Sequence, residues 1–282
     1  MLKSTDIAIF LFTIIPQNLL SRLFGLITRI PVPQSIMKAL ISWYSKKFAV
    51  IEEYRVPESG FTCFDKFFTR ELKPDARPVP RDKKSIISPV DARIDQYGLI
   101  KEDSIIQAKG IYYSVRDLVP ISVAEKFING SFITLYLSPG DYHRIHSPVS
   151  GSITGYLHIP GRLFTVQEYM ANGLNGLFTR NERLITFIES KGMPVAVCKI
   201  GAMNVGRITV PYDTVSTNKF FRKKTEKAYT AKTLSIQKGD EIGTFHLGST
   251  VILLFPQDFI KFNSFNKGHL IKMGEPLGVI VK

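Results

Sequence analysis

From about residue 131 to its end the chain is written in short apolar segments punctuated by Gly and Pro, and this texture constrains its fold most. Ser131–Leu137, Ser152–His158, Val195–Ile200, Val205–Val210, Val251–Phe255 and Leu277–Val281 are rich in β-branched and aromatic residues and too short for helices. Runs of this kind, bounded by turn residues, read as strands. The pattern predicts a compact β core.

Ahead of that core the period is helical. After Pro16, residues Leu19, Leu20, Leu23, Phe24, Ile27 and Ile30 share one face, with Gln17, Ser21, Arg22, Thr28 and Arg29 mainly on the other. Pro31 and Pro33 end this segment. A second runs from Gln34 to Phe48, with Ile36, Met37, Leu40, Ile41, Tyr44 and Phe48 as its apolar stripe and Lys38, Lys46 and Lys47 beside it. Two such helices with basic flanks and aromatic ends suit a hairpin lying in a lipid headgroup layer, and suit equally a pair packed on the core. The apolar run Ile7–Ile15 is too short to span a bilayer, is interrupted by Pro16 and lacks a small-residue cleavage site, so it is not read as a signal peptide. Phe61–Leu72 opens the main body with Phe64, Phe67, Phe68 and Leu72 at helical spacing, and the proline- and charge-rich stretch Lys73–Lys84 reads as an exposed connection. The division expected is an amphipathic helical region over residues 1–60 and a β-rich domain over 61–282, an α+β chain.

Charge narrows the partners. Lys and Arg outnumber Asp and Glu 37 to 24, a net +13, which implies nucleic acid or an acidic membrane surface. The basic stretch Lys219–Lys224 reads as a solvated loop, though its interleaved Phe220 and Phe221 also suit a membrane rim. Cys63 and Cys198 lie far apart and the five histidines show no ligand spacing, so no metal is expected.

One stretch carries chemistry. In Leu247-Gly248-Ser249-Thr250, at the entry to Val251–Phe255, a small hydroxyl residue follows a glycine. Alone, that is a strand-entry turn. It is also where a peptide can be bent into reach of its own side chain: the Ser249 hydroxyl attacks the Gly248 carbonyl, the amide becomes an ester, and β-elimination followed by hydrolysis leaves a pyruvoyl group. Serine needs a neighbouring base for this, itself oriented by a third group. No Gly-x-Ser-x-Gly elbow surrounds Ser249, which argues against a serine hydrolase.

Leu247-Gly248-Ser249-Thr250, Ser88-Pro89-Val90-Asp91 and Asp141-Tyr142-His143-Arg144-Ile145-His146-Ser147-Pro148 together resemble the motifs of the phosphatidylserine decarboxylases. Gln107-Ala108-Lys109-Gly110, Gly161-Arg162-Leu163-Phe164, Asn181-Glu182-Arg183, Gly201-Ala202-Met203-Asn204-Val205-Gly206 and Lys272-Met273-Gly274-Glu275 fall in that family's order. Ala92 and Arg207 depart from it, where a glycine and a small residue are common. The resemblance runs from about Phe64 to the C-terminus.

It implies self-cleavage between Gly248 and Ser249 into a large chain (1–248) and a small one (249–282), with Ser249 becoming a covalent pyruvoyl cofactor. It implies His146 as the base, oriented by Asp91, and His143 as a proton donor or carbonyl-polarising group. The reaction implied is decarboxylation of phosphatidylserine to phosphatidylethanolamine through a Schiff base, the ketone serving as an electron sink. The substrate would lie in anionic membranes at the cytoplasmic face of the cell membrane, with the chain bound peripherally. Homodimer formation is implied by the resemblance alone, and no nucleic-acid partner is expected. Lys238–Gly243 and Lys272–Gly278 echo each other in a way that resembles barrel-sandwich hybrids, the type expected for the catalytic domain. His246 is expected to be structural, because strand alternation puts it on the face opposite Ser249, and His158 and His269 are read alike. The rival readings are an inactive peripheral membrane-binding protein and a pyruvoyl decarboxylase of a soluble amino acid.

Overall fold

The structure is a computed structural model and describes residues 9, 12–50, 52–108, 110–203, 207–221, 223–230 and 234–281. Val205, Gly206, Lys109, Arg222 and most of Ile7–Phe10 lie outside the described residues.

The strands that position the site are β1 (Ala92–Leu99), β2 (Ser131–Leu137), β3 (Arg144–His146), β4 (Gly151–Ile159), β5 (Arg183–Ser190), β6 (Met193–Ile200), β7 (Arg207–Thr209), β8 (Glu241–His246) and β9 (Ser249–Phe255). All pairings between strands are antiparallel among the described residues, with one isolated parallel bridge, Arg162↔Asn181. The large sheet runs Thr225–Ala228, β4, β5, β6, β9, β2, β1, Leu270–Ile271, with Ser235–Ile236 also on β4. A three-stranded sheet, β7-β8-β3, lies apart from it, and another joins Ser85–Ile87, Pro276–Ile280 and Ile260–Phe262. The expected β segments therefore form strands, with Val205–Val210 reduced to Arg207–Thr209 among the described residues. The sheets form no closed barrel among the described residues, so the fold stands as α+β with open antiparallel sheets.

Strand β9 is the centre of the large sheet. Its run Ser-Thr-Val-Ile-Leu-Leu-Phe is buried at every position, as a strand covered on both faces requires. It pairs Ser249↔Leu137 through Phe255↔Ser131 on one side and Thr250↔Ile200 through Leu254↔Ala196 on the other. Between β8 and β9 the chain passes from the small sheet to the large one using only Leu247 and Gly248. The corner sets Leu247 at φ 91°, a backbone region an L side chain rarely adopts.

Two helices precede the sheets, α1 (Gln17–Ile27) and α2 (Gln34–Phe48), followed by the short α3 (Phe64–Phe68). Helix α2 buries Met37 and Tyr44, and the Tyr44 ring meets those of Phe48, Phe64, Phe67 and Phe68 at 4.5 to 6.4 Å. Its hydroxyl donates to the Pro139 carbonyl (2.9 Å), tying α2 to the loop after β2. Helix α1 is turned the other way. The residues it buries are Gln17, Asn18 and Ser21, while Leu19, Leu20, Leu23, Phe24, Leu26 and Ile27 are exposed. Its polar face makes the protein contacts: Asn18 donates to the Gly161 carbonyl (3.1 Å), and Arg22 to the Asn218 carbonyl (2.9 Å). No helix among the described residues is long and apolar enough to cross a membrane.

Candidate active site

The corner at Leu247–Gly248 and the first residue of β9 open onto a cavity of about 760 Å³. Its walls come from α1 (Phe24, Ile27), α2 (Leu40, Tyr44, Phe48), α3 (Phe64, Phe68) and the strand ends Tyr136, Leu137, Leu247, Gly248 and Ser249. They are almost wholly apolar. A mainly apolar space of this size, open on one side and with Ser249 in its lining, suits a ligand with a long hydrocarbon part and a reacting polar head.

Ser249 is buried, and its hydroxyl donates to the Ile200 carbonyl of β6. His143, on the loop entering β3, is buried against Phe68, ring centroids 4.1 Å apart. Its Nδ1–H donates to the Asp141 carbonyl (2.8 Å), and its Nε2 has no partner among the described residues. Burial, then the nearby Arg70 charge, pushes the imidazole down to about 3. His143 is therefore neutral at neutral pH with a lone pair on Nε2 that can accept a hydrogen bond.

His146 uses both ring nitrogens. Nδ1–H donates to the Gly239 carbonyl (2.6 Å), and Nε2 accepts from the Tyr142 hydroxyl (3.0 Å), whose ring stacks on the imidazole. Burial lowers its pKa too. Asp91 follows the turn Ser88–Val90, whose Pro89 carbonyl accepts the His146 backbone N–H (2.8 Å). Its carboxylate, however, is gripped at two points by Arg77 (2.9 and 2.6 Å) and accepts the Met273 N–H (2.8 Å). The Asp91 charge reaches both His146 and Asp141, and Asp141 is pushed up to about 6, by burial first.

Asp91, His143 and His146 share one neighbourhood, in which His143 lies nearest the corner, its carbonyl accepting the Phe245 N–H (2.9 Å), whereas His146 pairs with Glu241 at the far end of β8. The structure joins none of these side chains to another, or to Ser249, by a hydrogen bond among the described residues. The orientation of His146 expected from Asp91 comes instead from Gly239 and Tyr142.

One residue escaped the sequence. Arg77 sits in a stretch expected to be exposed, yet its side chain is 2% accessible and balances Asp91. Only the carboxylate needing a partner at Asp91 could have pointed to it. His246 is linked by Nδ1 to Asp65 (2.8 Å), and the alternation argument that set it opposite Ser249 does not hold, because the two residues lie in different sheets. His158 meets the expectation, with its Nε2 held by Glu182 at 2.9 Å in the core.

A family model described as phosphatidylserine decarboxylase matches residues 64–279. The chain belongs to that family. It is 40% identical over 273 residues, 96% of this chain and 97% of the relative, to the phosphatidylserine decarboxylase proenzyme of Myxococcus xanthus (strain DK1622). It is 41% identical over 268 residues, 93% of this chain and 94% of the relative, to the proenzyme of the same description from Brevibacillus brevis (strain 47 / JCM 6285 / NBRC 100599).

Proposed function

We propose that this chain cleaves itself between Gly248 and Ser249 and then decarboxylates phosphatidylserine drawn from a membrane. The observation that carries this reading is the placement of the Gly248–Ser249 bond. It sits at a sheet-to-sheet corner with Leu247 at positive φ, and Ser249 faces an apolar cavity. Strain next to a bond that must break raises the ground state, and cleavage releases the corner.

In the proposed cleavage Ser249 is the nucleophile and Gly248 the acyl donor. The serine hydroxyl leaves the Ile200 carbonyl and gives up its proton as it attacks. We assign the base to His146, with Asp91 beside it, which requires the Tyr142–His146 hydrogen bond to open. His143 presents a free nitrogen as the structure stands, and we assign it to proton handling in decarboxylation. The residues fit a pyruvoyl group at position 249, since Ser249, which would form it, lines a mainly apolar cavity beside Gly248. Such a ketone supplies an electron sink for an amine substrate losing carbon dioxide. Around it, the chain excludes water with the phenylalanine wall and holds the new end in place through β9.

Residues 1–60 form, in this reading, the membrane-associating region and 61–282 the catalytic domain. The support is the inverted packing of α1. A helix that buries glutamine, asparagine and serine and turns leucine, phenylalanine and isoleucine outward has its apolar face free for another apolar phase. Phe220 and Phe221, 76% and 99% exposed, add apolar surface on the loop that α1 contacts, where the Arg22 guanidinium lies 4.5 Å from the Phe220 ring. Peripheral docking on an anionic leaflet follows from this face and the +13 charge. An outward apolar face lining the way to the cavity also favours a lipid over a soluble amino acid.

The test is release of carbon dioxide from vesicles containing phosphatidylserine. The parent chain should release it, and Ser249→Ala should not. Equal release from both would sink the assignment of Ser249.

A further inference from the structure

Flanking the residues that line the cavity near Gly248 is a group of charges that the reaction as described does not use. Arg29 follows α1, Asp65 lies in α3, Arg207 opens β7 and His246 closes β8, where Arg207 and His246 are register partners. His246 Nδ1–H donates to Asp65 (2.8 Å), which leaves Nε2 as the acceptor for the Arg207 guanidinium (3.3 Å) and the Thr209 hydroxyl (3.2 Å). The Asp65 backbone N–H donates to the Thr28 carbonyl (2.9 Å), fastening α3 to the turn that carries Arg29. Burial raises the Asp65 carboxyl, but the hydrogen bond from His246 and the nearby Arg29 and Arg207 charges hold it below its usual range. Burial lowers His246.

The balance of the group is two guanidinium cations against one carboxylate, with a neutral imidazole between. Neither arginine forms an ion pair within 4.0 Å among the described residues, and the Nε atoms of both are buried without a partner. Burial and the like charge of Arg29 both lower the pKa of Arg207, so the pair repels as it stands. Buried donors without acceptors and an excess of cation over carboxylate mark a place suited to an anion.

Its position says which anion. Thr28 and Ile30, on either side of Arg29, line the cavity, as do Phe64 before Asp65 and Leu247 after His246. We propose that Arg29 and Arg207 hold the phosphodiester of the phospholipid headgroup, fixing the substrate's serine at residue 249. The inference rests on the reading of Ser249 as the reacting centre. In phosphatidylserine the phosphate hangs from the serine β-carbon through one oxygen, so an amine at residue 249 keeps the phosphate close by. Guanidinium forks match phosphate oxygens in pairs. The substrate's other anion, its carboxylate, is the wrong partner, since it must lose its charge on leaving as carbon dioxide. Ion pairing there would stabilise the ground state more than the transition state.

The experiment uses the full chain carrying both Arg29→Gln and Arg207→Gln. Cleavage is followed by intact mass, and decarboxylation with phosphatidylserine in mixed micelles. We expect cleavage to go to completion and kcat/KM to fall at least about tenfold, chiefly through KM. An unchanged kcat/KM, or a fall confined to kcat, overturns the proposal. Should the double variant fail to fold, competition on the cleaved parent decides. Glycerophosphoserine must inhibit at least about tenfold more strongly than serine and than inorganic phosphate. Equal inhibition by serine shows no phosphate contact, equal inhibition by inorganic phosphate shows a bare-anion site, and either overturns the proposal. A parent that neither cleaves nor decarboxylates instead overturns the reading of Ser249 on which this rests.

Discussion

Asp91 is buried, and Arg77 grips its carboxylate at two points. Removing one partner of a buried pair strands the other charge, so Arg77→Met should destabilise the fold by about 3–5 kcal/mol, read as a shift in the denaturant midpoint. A change within error would mean that Asp91 is satisfied elsewhere. His143 gives a pH signature. With the folded imidazole at about 3 against an ordinary 6.5, the unfolded chain takes up the proton first as pH falls. The stability this histidine contributes is complete above about 6.5 and drains towards pH 3, by about 1.4 kcal/mol per pH unit. Unfolding curves of the parent and His143→Asn between pH 7 and 4 should therefore converge as pH falls, and parallel curves would contradict the buried neutral imidazole. Among these residues, the sequence made Asp91, His143, His146 and Ser249 legible through their motifs. It did not reveal most of their partners, because Arg77, Gly239 and Ile200 reach them through tertiary folding, and only Tyr142 lies in the same motif as the histidine it meets.

Among the elements, α1 shows how far periodicity carries and where it stops. The stripe of Leu19, Leu23, Phe24 and Ile27 is plain in the sequence, but a stripe does not say which side faces the protein. Here the polar face has the specific partners, Gly161 and Asn218, and the apolar face is left outside. Replacing Leu19, Leu23 and Ile27 together by serine should weaken binding to phosphatidylserine vesicles about tenfold or more. The melting temperature should hardly move, since the lost side chains are exposed. A large loss of thermal stability with unchanged vesicle binding would place that face against the protein instead. The strands were legible for the opposite reason: β9 is apolar throughout because both its faces are covered, and its neighbours carry the same bias. The echo between Lys238–Gly243 and Lys272–Gly278 led further than it should have, since those segments join different open sheets. His246 shows the same limit, because strand alternation cannot be extended across a corner that the sequence does not mark.

For the molecule as a whole, the proposed cut falls at the edge of its most central strand. Strand β9 is held between β2 and β6 along nearly its full length, so chains 1–248 and 249–282 should stay together through gel filtration and separate only in denaturant. Release of the small chain under native conditions would mean that the sheet does not survive cleavage. The central claim is the self-cleavage, and intact mass of the purified protein beside Ser249→Ala tests it most directly. The account predicts two species from the parent, the smaller about 17 Da lighter than a peptide beginning with serine, as loss of the amine to a ketone requires, and a single full-length chain from the variant. A folded parent that stays at full length in the presence of phosphatidylserine vesicles would contradict it.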